Sequence, residues 1–370
     1  MNTITADRQG FRLLLTGGGT GGHLFPAVAT AEQLSSRLPE SAILFIGTDR
    51  RLDRRHLERC GFAVRTIHSY GLKGKRPLEL LKALAVLPVS LIEACWQILR
   101  FRPDVVCGVG GYVTGPVVAA AWLLRRPTVI HEQNSVPGLA NRQLGRLVDR
   151  ICISLPDSAR FFPAGKTQLT GNPVRRPILD ARQRCVHPAG DTKTLLVLGG
   201  SQGAHRVNEL VSEALIARAE SLPGFRVVHQ TGPADEQWVG QRYRQAGVDC
   251  QVAAFFNDMA EVYRQADLVV SRAGATTLAE ISVLGLPAIL IPYPHAADDH
   301  QQRNARWYAN SGGAMMFAER ELTAEQLGEL ITQLLVDRQR LQQMSTAMAG
   351  LGIADAADRI VDICLAVAGR

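Results

Sequence analysis

The chain predicts an α/β protein built from two Rossmann-like, doubly wound domains facing across a cleft. Three observations carry this. Short apolar runs alternate with longer helical patterns along the whole sequence, the written form of a parallel sheet covered by helices. Glycine-rich loops follow several of the apolar runs directly. The two halves also open alike, with Arg12-Leu-Leu-Leu-Thr-Gly-Gly and Thr194-Leu-Leu-Val-Leu-Gly-Gly each running a strand into paired glycines and then a helix. At 370 residues the chain exceeds one ordinary core, so two domains are expected.

In order along the first half, Phe11–Leu15, Ala42–Ile46, Asp104–Val109, Thr128–His131 and Arg150–Ile153 read as strands. Helical patterns lie between them at Pro26–Leu38, Leu78–Arg100, Pro116–Leu124 and Leu139–Leu147. From Gly171 to Asp191 prolines and arginines replace periodicity, which reads as a linker. The second series of strands is Thr194–Leu198, Phe225–Val228, Asp249–Ala253, Leu268–Ser271 and Ala288–Ile291. The expected division is therefore residues 1–170, a linker at 171–191, and a second domain at 192–349. Whether the C-terminal helical stretch, about 350–370, returns to the first domain is open in the sequence.

Composition is that of an ordinary globular protein, 46% hydrophobic and 20% charged. The net charge of +7 suits an anionic substrate, a nucleic acid or an anionic membrane without choosing among them. No aromatic-and-basic stripe or zinc spacing supports a nucleic-acid partner. Seven scattered cysteines, with no CxxC pair, read as buried free thiols in a reducing cytoplasm. The short polar N-terminus lacks an apolar signal core, and no apolar stretch reaches the ~18–20 residues of a spanning helix. The expectation is a protein that is soluble or lies on a membrane without crossing it.

Gly17-Gly-Gly-Thr-Gly-Gly-His23 stands between a strand and a helix that Pro26 is expected to open. Glycines let backbone approach a ligand closely, and N–H groups at a helix start attract anions. The loop matches G-x-G-x-x-G, a weak signal alone, and the acidic partner of a dinucleotide site is not clearly present. Gly110-Gly-Tyr-Val-Thr-Gly115 and Gly199-Gly-Ser-Gln-Gly-Ala204 also follow strands. Three such loops beyond strand carboxyl ends, divided between two domains, describe a cleft for anionic ligands. A nicotinamide dehydrogenase would leave two of them unexplained.

Other strand ends are polar. His131-Glu-Gln-Asn134 is either a solvated turn or part of a sugar or acceptor site. Thr277-Leu-Ala-Glu280 has capping-box spacing, so Glu280 either closes a helix start or accepts the hydroxyls of a ribose. His295, Asp298, Asp299 and His300 raise a metal site, but HxxxH and HExxH spacings are missing, and no metal is expected. Gln301 and Gln302 suit neutral sugar hydroxyls.

Together with Thr170-Gly-Asn-Pro-Val-Arg175 and Gly274–Glu280, these motifs closely resemble the MurG family over nearly the whole chain, in order and at compatible spacing. That family adds N-acetylglucosamine to undecaprenyl-pyrophosphoryl-N-acetylmuramoyl-pentapeptide (lipid I), making lipid II for peptidoglycan. The resemblance implies a GT-B fold, an inverting reaction, a donor site mostly in the second domain and an acceptor site mostly in the first. It brings Thr20, Gly21 and Gly22 toward the donor, His23 to the reacting centre, Tyr112 and Asn134 into the substrate site, and Arg175 and Ser201 to the diphosphate. It gives phosphate and ribose to Ala275, Thr276, Thr277, Leu278, Ala279 and Glu280, with Glu280 on the ribose, and sugar hydroxyls to Gln301 and Gln302. One departure is Phe256, which stands where relatives often place an aliphatic residue against uracil, its backbone still available to the base edge.

The implied reaction needs no cofactor: the acceptor C4 hydroxyl attacks the anomeric carbon, His23 is the first candidate for the base, and the glycine loops, Ser201 and Arg175 stabilise the leaving diphosphate. A lipid acceptor requires a bilayer surface. The basic stretch Gly71-Leu-Lys-Gly-Lys-Arg-Pro-Leu78 before apolar Leu80–Leu99 reads as a peripheral dock to anionic lipid on the cytoplasmic face of the inner membrane. An internal core helix explains the same residues. The rival activities are a UDP-sugar epimerase and a glycolipid synthase of similar fold.

Overall fold

The computed structural model describes residues 10–18, 21–48, 54, 57–70, 77–182, 192–200, 202–219 and 224–370, with 77–84 as backbone only. Two compact units divide the chain, one running to Pro173 and rejoined by Asp355–Arg370, the other Val174–Ala354.

The first unit holds a seven-stranded parallel sheet in the order β3-β2-β1-β4-β5-β6-β7. Its strands are β1 (Arg12–Thr16), β2 (Ala42–Gly47), β3 (Ala63–Thr66), β4 (Val105–Gly108), β5 (Thr128–Glu132), β6 (Arg150–Ile153) and β7 (Thr167–Leu169). Side chains alternate across a strand, so neighbours on β1 face opposite layers. Leu13 and Leu15 pack beneath Leu24, Val28, Ala31 and Leu34 of the helix Gly21–Arg37 and Ile360, Val361 and Cys364 of the helix Ala356–Val367. Leu14 faces Ala94 and Ile98 of the helix Pro77–Phe101 and Val117, Val118 and Ala121 of Thr114–Leu123. Helices on both faces explain why the central strands read as continuous apolar runs. The C-terminal helix is held to Gly21–Arg37 by its apolar stripe and by Gln33 Nε2 to Asp358 Oδ1 (2.6 Å) and Arg37 to Asp362 (2.7 Å).

The second unit holds a six-stranded parallel sheet, order β10-β9-β8-β11-β12-β13. Its strands are β8 (Lys193–Leu198), β9 (Phe225–Gln230), β10 (Cys250–Ala253), β11 (Leu268–Ser271), β12 (Ala288–Leu290) and β13 (Ala314–Met316). Leu195 and Val197 bury against Val207, Leu210, Val211 and Ala214 of the helix His205–Ile216 and Leu327, Ile331 and Leu334 of Ala324–Val336.

Three strands go beyond the sequence expectation: β3, β7 and β13, each at a sheet edge and three or four residues long. Half-exposed edges carry little apolar signal. The first helix begins at Gly21, not Pro26, because so early in a helix proline forfeits only one backbone bond. Within 171–191 the residues Arg176–Arg182 form a helix in the second unit, against Ala275–Leu284 and Met259–Arg264.

Candidate functional site

In each sheet the strand order reverses beside the first strand of the unit, between β1 and β4 and between β8 and β11. Open parallel sheets bind ligands at the carboxyl ends of the strands flanking such a reversal. The conspicuous residues of each unit gather there.

In the first unit, Gly18 (φ +137°) leaves β1, and Gly110 (φ +100°) and Gly111 (φ +84°) leave β4. A Cβ on Gly111 would lie 2.5 Å from the Gly18 carbonyl oxygen, and one on Gly110 would lie 2.9 Å from His23 Cε1 and Nδ1. Only glycine allows the two loops to touch and the His23 ring to lie against the second. Because the helix begins at Gly21, His23 stands in its first turn. Its Nδ1 lies 3.0 Å from Gln133 Oε1. Gln133 Nε2 donates to the Val109 carbonyl (2.8 Å) and approaches His131 Nδ1 (3.1 Å). His131 is fully buried, with Nε2 2.9 Å from Ser154 Oγ and 3.1 Å from the Gly171 carbonyl. Burial drives its pKa down to about 4, with the nearby His23 ring pushing the same way, so His131 is neutral near pH 7.

Glu132, also buried, ties down the next turn. Its Oε1 accepts from the backbone and side-chain nitrogens of Asn134 (3.0 and 3.2 Å), its Oε2 from the Gly138 N–H (3.2 Å) and Asn141 Nδ2 (2.9 Å). Three of the four polar residues 131–134 thus form the support on which Asn134 and His23 rest. Tyr112 follows Gly111, its ring partly exposed.

In the second unit Gly274 caps the helix Ala275–Leu284, and the first-turn amides of Ala275, Thr276 and Thr277 face the end of β11. Thr277 is inside the helix, so the capping-box reading of Glu280 fails. Glu280 is buried and bonded on both oxygens: Oε1 accepts from Arg175 Nη2 (2.9 Å) and Nε (3.2 Å), and Oε2 from the Tyr263 hydroxyl (2.8 Å). Burial, with the Glu280 charge beside it, pushes the Tyr263 phenol well above its usual range, so it stays a donor. Arg175, expected at the diphosphate, bonds this carboxylate. The carboxylate is 5% exposed and would be costly unpaired.

Gln301 Oε1 accepts from the Ala273 (3.2 Å) and Tyr293 (3.0 Å) backbone N–H groups, stapling the loops after β11 and β12. Gln302, next on the helix His300–Asn310, is exposed. Phe256 is buried and its N–H is committed to Gln230 Oε1 (3.1 Å), so of its backbone only the carbonyl is left for a base edge; Phe255 is the exposed ring. Leu278 and Ala279 are buried in the core, so any ligand contact from them is through backbone. Thr20 and Ser201 lie outside the described residues, as does the basic stretch 71–76. No cluster of three or more metal-ligating side chains occurs among the described residues.

Residues 13–153 match the N-terminal domain of glycosyltransferase family 28, and residues 194–360 match its C-terminal domain. The chain belongs to glycosyltransferase family 28. The UDP-N-acetylglucosamine--N-acetylmuramyl-(pentapeptide) pyrophosphoryl-undecaprenol N-acetylglucosamine transferase of Desulfotalea psychrophila is 56% identical over 97% of each chain. The enzyme of the same name from Myxococcus xanthus is 44% identical over 96% of this chain and 92% of its own. The crystal structure of Acinetobacter baumannii MurG superposes with a TM-score of 0.77 at 32% identity, over 96% of this chain and 99% of that one. A UDP-GlcNAc 2-epimerase from Neisseria meningitidis superposes at 0.70 with 15% identity over 96% of this chain and 100% of that one, a likeness of fold alone. The family 28 assignment agrees with the expected GT-B class of two parallel-sheet Rossmann-like domains.

Three supporting residues of this family 28 chain escaped the sequence reading as individual contributors: Gln133, Tyr263 and Arg272. Arg272 ion-pairs with Glu319 and donates to the Ile291 and Pro292 carbonyls (3.1 and 3.3 Å), holding the loop after β12. Each makes a contact with a partner 17 or more residues away in the sequence.

Proposed function

We propose that this chain is an inverting N-acetylglucosaminyltransferase that moves N-acetylglucosamine from UDP-GlcNAc to the C4 hydroxyl of the N-acetylmuramoyl group of lipid I, forming lipid II for peptidoglycan. The observation that carries this is 56% identity over 97% of the chain with a transferase of that name. Purified protein incubated with UDP-GlcNAc and a short-chain lipid I analogue tests it. The product gains one N-acetylhexosamine; an unchanged acceptor beside intact protein would sink the assignment.

The second unit holds the donor. Amides at the start of Ala275–Leu284, with Thr276 and Thr277, face the diphosphate, and Glu280 takes a ribose hydroxyl. Gln301 and Gln302 donate to the sugar, and the Phe256 carbonyl reads the uracil edge. Arg175 acts first on Glu280, fixing the carboxylate that meets the ribose, and Ser201 serves the diphosphate. Amides and the helix dipole stabilise charge as it grows on the leaving UDP, more in the transition state than in the ground state.

The first unit serves the acceptor and the base. As the C4 oxygen bonds to the anomeric carbon, its proton passes to His23 and the bonding pair to the sugar leaves with UDP, inverting the centre. Thr20, Gly21 and Gly22 line the approach, and Tyr112 and Asn134 orient the sugars. No step calls for a cofactor or metal.

A membrane surface completes the reading. On the helix Pro77–Phe101, Val89, Ile92, Trp96 and Leu99 are exposed along one face, Ile92 at 68% and Trp96 at 56%, and Trp122 and Leu123 are exposed on the neighbouring helix. Glu93, which interrupts the apolar run, turns to His68, accepting its N–H (2.8 Å) and ring nitrogen (2.7 Å). Such a patch, on a helix that the basic residues Lys73, Lys75 and Arg76 precede in the sequence, suits peripheral docking to anionic lipid on the cytoplasmic face of the inner membrane. No helix among the described residues is long and apolar enough to cross a membrane. Flotation with anionic vesicles at low salt is expected to carry the protein, and the double change Ile92→Glu with Trp96→Glu to leave it behind while turnover of a water-soluble acceptor persists. Equal flotation of both proteins would refute the dock.

A further inference from the structure

We propose that Gln133 is a positioning residue that fixes His23 as its Nδ1–H tautomer and so makes Nε2 the atom that accepts the proton from the acceptor hydroxyl. The proposal rests on His23 being the base and adds which nitrogen acts and what selects it.

The chain of donors and acceptors allows one solution. A backbone carbonyl can only accept, so the Gln133 atom 2.8 Å from the Val109 oxygen is the amide nitrogen, whichever way a side-chain amide is drawn. That nitrogen has a second hydrogen, and His131 Nδ1 lies 3.1 Å from it. His131 is bound to receive it. Its Nε2 is 3.1 Å from the Gly171 carbonyl, another pure acceptor, so Nε2 carries the His131 hydrogen and Nδ1 the lone pair. Burial keeps this ring neutral near pH 7, with a pKa of about 4, so Nδ1 does not become a competing donor. With both Gln133 hydrogens committed, Oε1 is left facing His23 Nδ1 at 3.0 Å. An amide oxygen cannot donate, so the hydrogen of that bond belongs to His23 Nδ1.

Free histidine favours the other tautomer, with the hydrogen on Nε2. Left to itself, His23 would protonate the nitrogen that must be empty and turn its lone pair toward the interior. Two carbonyls, from Val109 and Gly171, therefore set the proton position on a catalytic ring through one buried histidine and one buried amide. Gly110, whose missing Cβ leaves room for the edge of the ring that carries Nδ1, makes the bond geometrically accessible. The same logic orients the imidazole of a serine hydrolase, where a carboxylate accepts from Nδ1–H. Here the acceptor is neutral and leaves the ring without a buried counter-charge.

The test is long-range imidazole 15N NMR on the full-length protein at pH 7.5, with His23 assigned by the signal lost in His23→Asn. The wild-type protein is expected to show a pyrrole-like Nδ1 and a pyridine-like Nε2 for His23. Gln133→Met, close in volume and unable to accept that hydrogen bond, is expected to move His23 toward the Nε2–H pattern. It should also lower kcat about tenfold or more with the KM for UDP-GlcNAc within about twofold, since a positioned base is worth 10²–10⁴ in rate. A wild-type His23 already in the Nε2–H form overturns the proposal without any variant. So does Gln133→Met with an unchanged tautomer and kcat. Near-normal turnover in His23→Ala would refute the base assignment instead and leave the tautomer result standing, so the two failures are distinguishable.

Discussion

Deleting either ribose hydroxyl from UDP, in parallel with the carboxylate proposed to hold it, isolates the interaction on which donor recognition turns. An ionised carboxylate offers about four lone-pair sites. On Glu280, two are filled by Arg175 Nη2 and Nε and a third by the Tyr263 hydroxyl, so one remains, on Oε2. One ribose hydroxyl can therefore bond while the ion pair stays intact. A hydrogen bond to a charged group contributes about 1.5–3 kcal/mol, or roughly 10- to 150-fold in Kd. Low exposure keeps that value from being screened away. Isothermal titration calorimetry of UDP, 2′-deoxy-UDP and 3′-deoxy-UDP is expected to show that factor for one of the two deoxy ligands against the wild-type protein. Against Glu280→Gln the same ligand should lose less than about threefold, because an amide oxygen replaces a charge-assisted acceptor by a weaker one. Melting curves without ligand should show the variant folded and destabilised by about 1–3 kcal/mol through the weakened Arg175 contact. If both deoxy ligands lose equal factors against both proteins, Glu280 is a structural ion pair and the ribose assignment is wrong.

Gly110→Ala places a Cβ 2.9 Å from His23 Nδ1 and a side chain on φ +100°, so kcat should fall roughly 10²-fold from a displaced base, with UDP affinity unchanged by calorimetry. Normal kcat in that variant would separate the ring's position from turnover. Stability should depend on pH through two buried neutral histidines, His131 with a pKa of about 4 and His229 of about 3, both lowered chiefly by burial. Depressed folded values mean that the unfolded chain binds the extra proton. Stability is therefore whole above about pH 6.5 and falls about 1.4 kcal/mol per pH unit for each histidine, through pH 4 and pH 3 respectively. Denaturant midpoints measured from pH 7.5 to 4.5 check this, and His229→Gln should flatten the slope of the second unit; an unaltered slope would contradict it.

Much of this was legible because the central strands are buried on both faces. β1, β4, β5, β8 and β11 announce themselves as unbroken apolar runs, and the glycine loops after them mark the sheet reversals. β3, β7 and β13 did not, since a short edge strand such as Ala63–Thr66 is mostly exposed and carries no apolar run. The site was legible at residues whose type suits a ligand: His23, Asn134, Glu280 and Gln301. What escaped was the support beneath them. Gln133 looks like one more polar loop residue until folding sets it against Val109 and His131, and Tyr263 reads as a core aromatic until its hydroxyl meets Glu280 from 17 residues away. The motif suggests Arg175 as a diphosphate ligand, and its ion pair with the buried Glu280, 105 residues away, has no signal in the sequence. Sequence spacing shows capping-box pairs, as at Thr277 and Glu280, without showing where the helix starts; here it starts at Ala275, with Gly274 as the cap, and the box never forms.

The central claim, group transfer to a lipid-linked acceptor, is tested most directly by following UDP-GlcNAc labelled in its sugar with and without a short-chain lipid I analogue, resolving every labelled species. Label appearing in a β-linked disaccharide lipid only when acceptor is present, with UDP released in equal amount, is the predicted result. Label that stays on UDP but converts to the 2-epimer without acceptor would contradict it and make this chain an epimerase of the same fold.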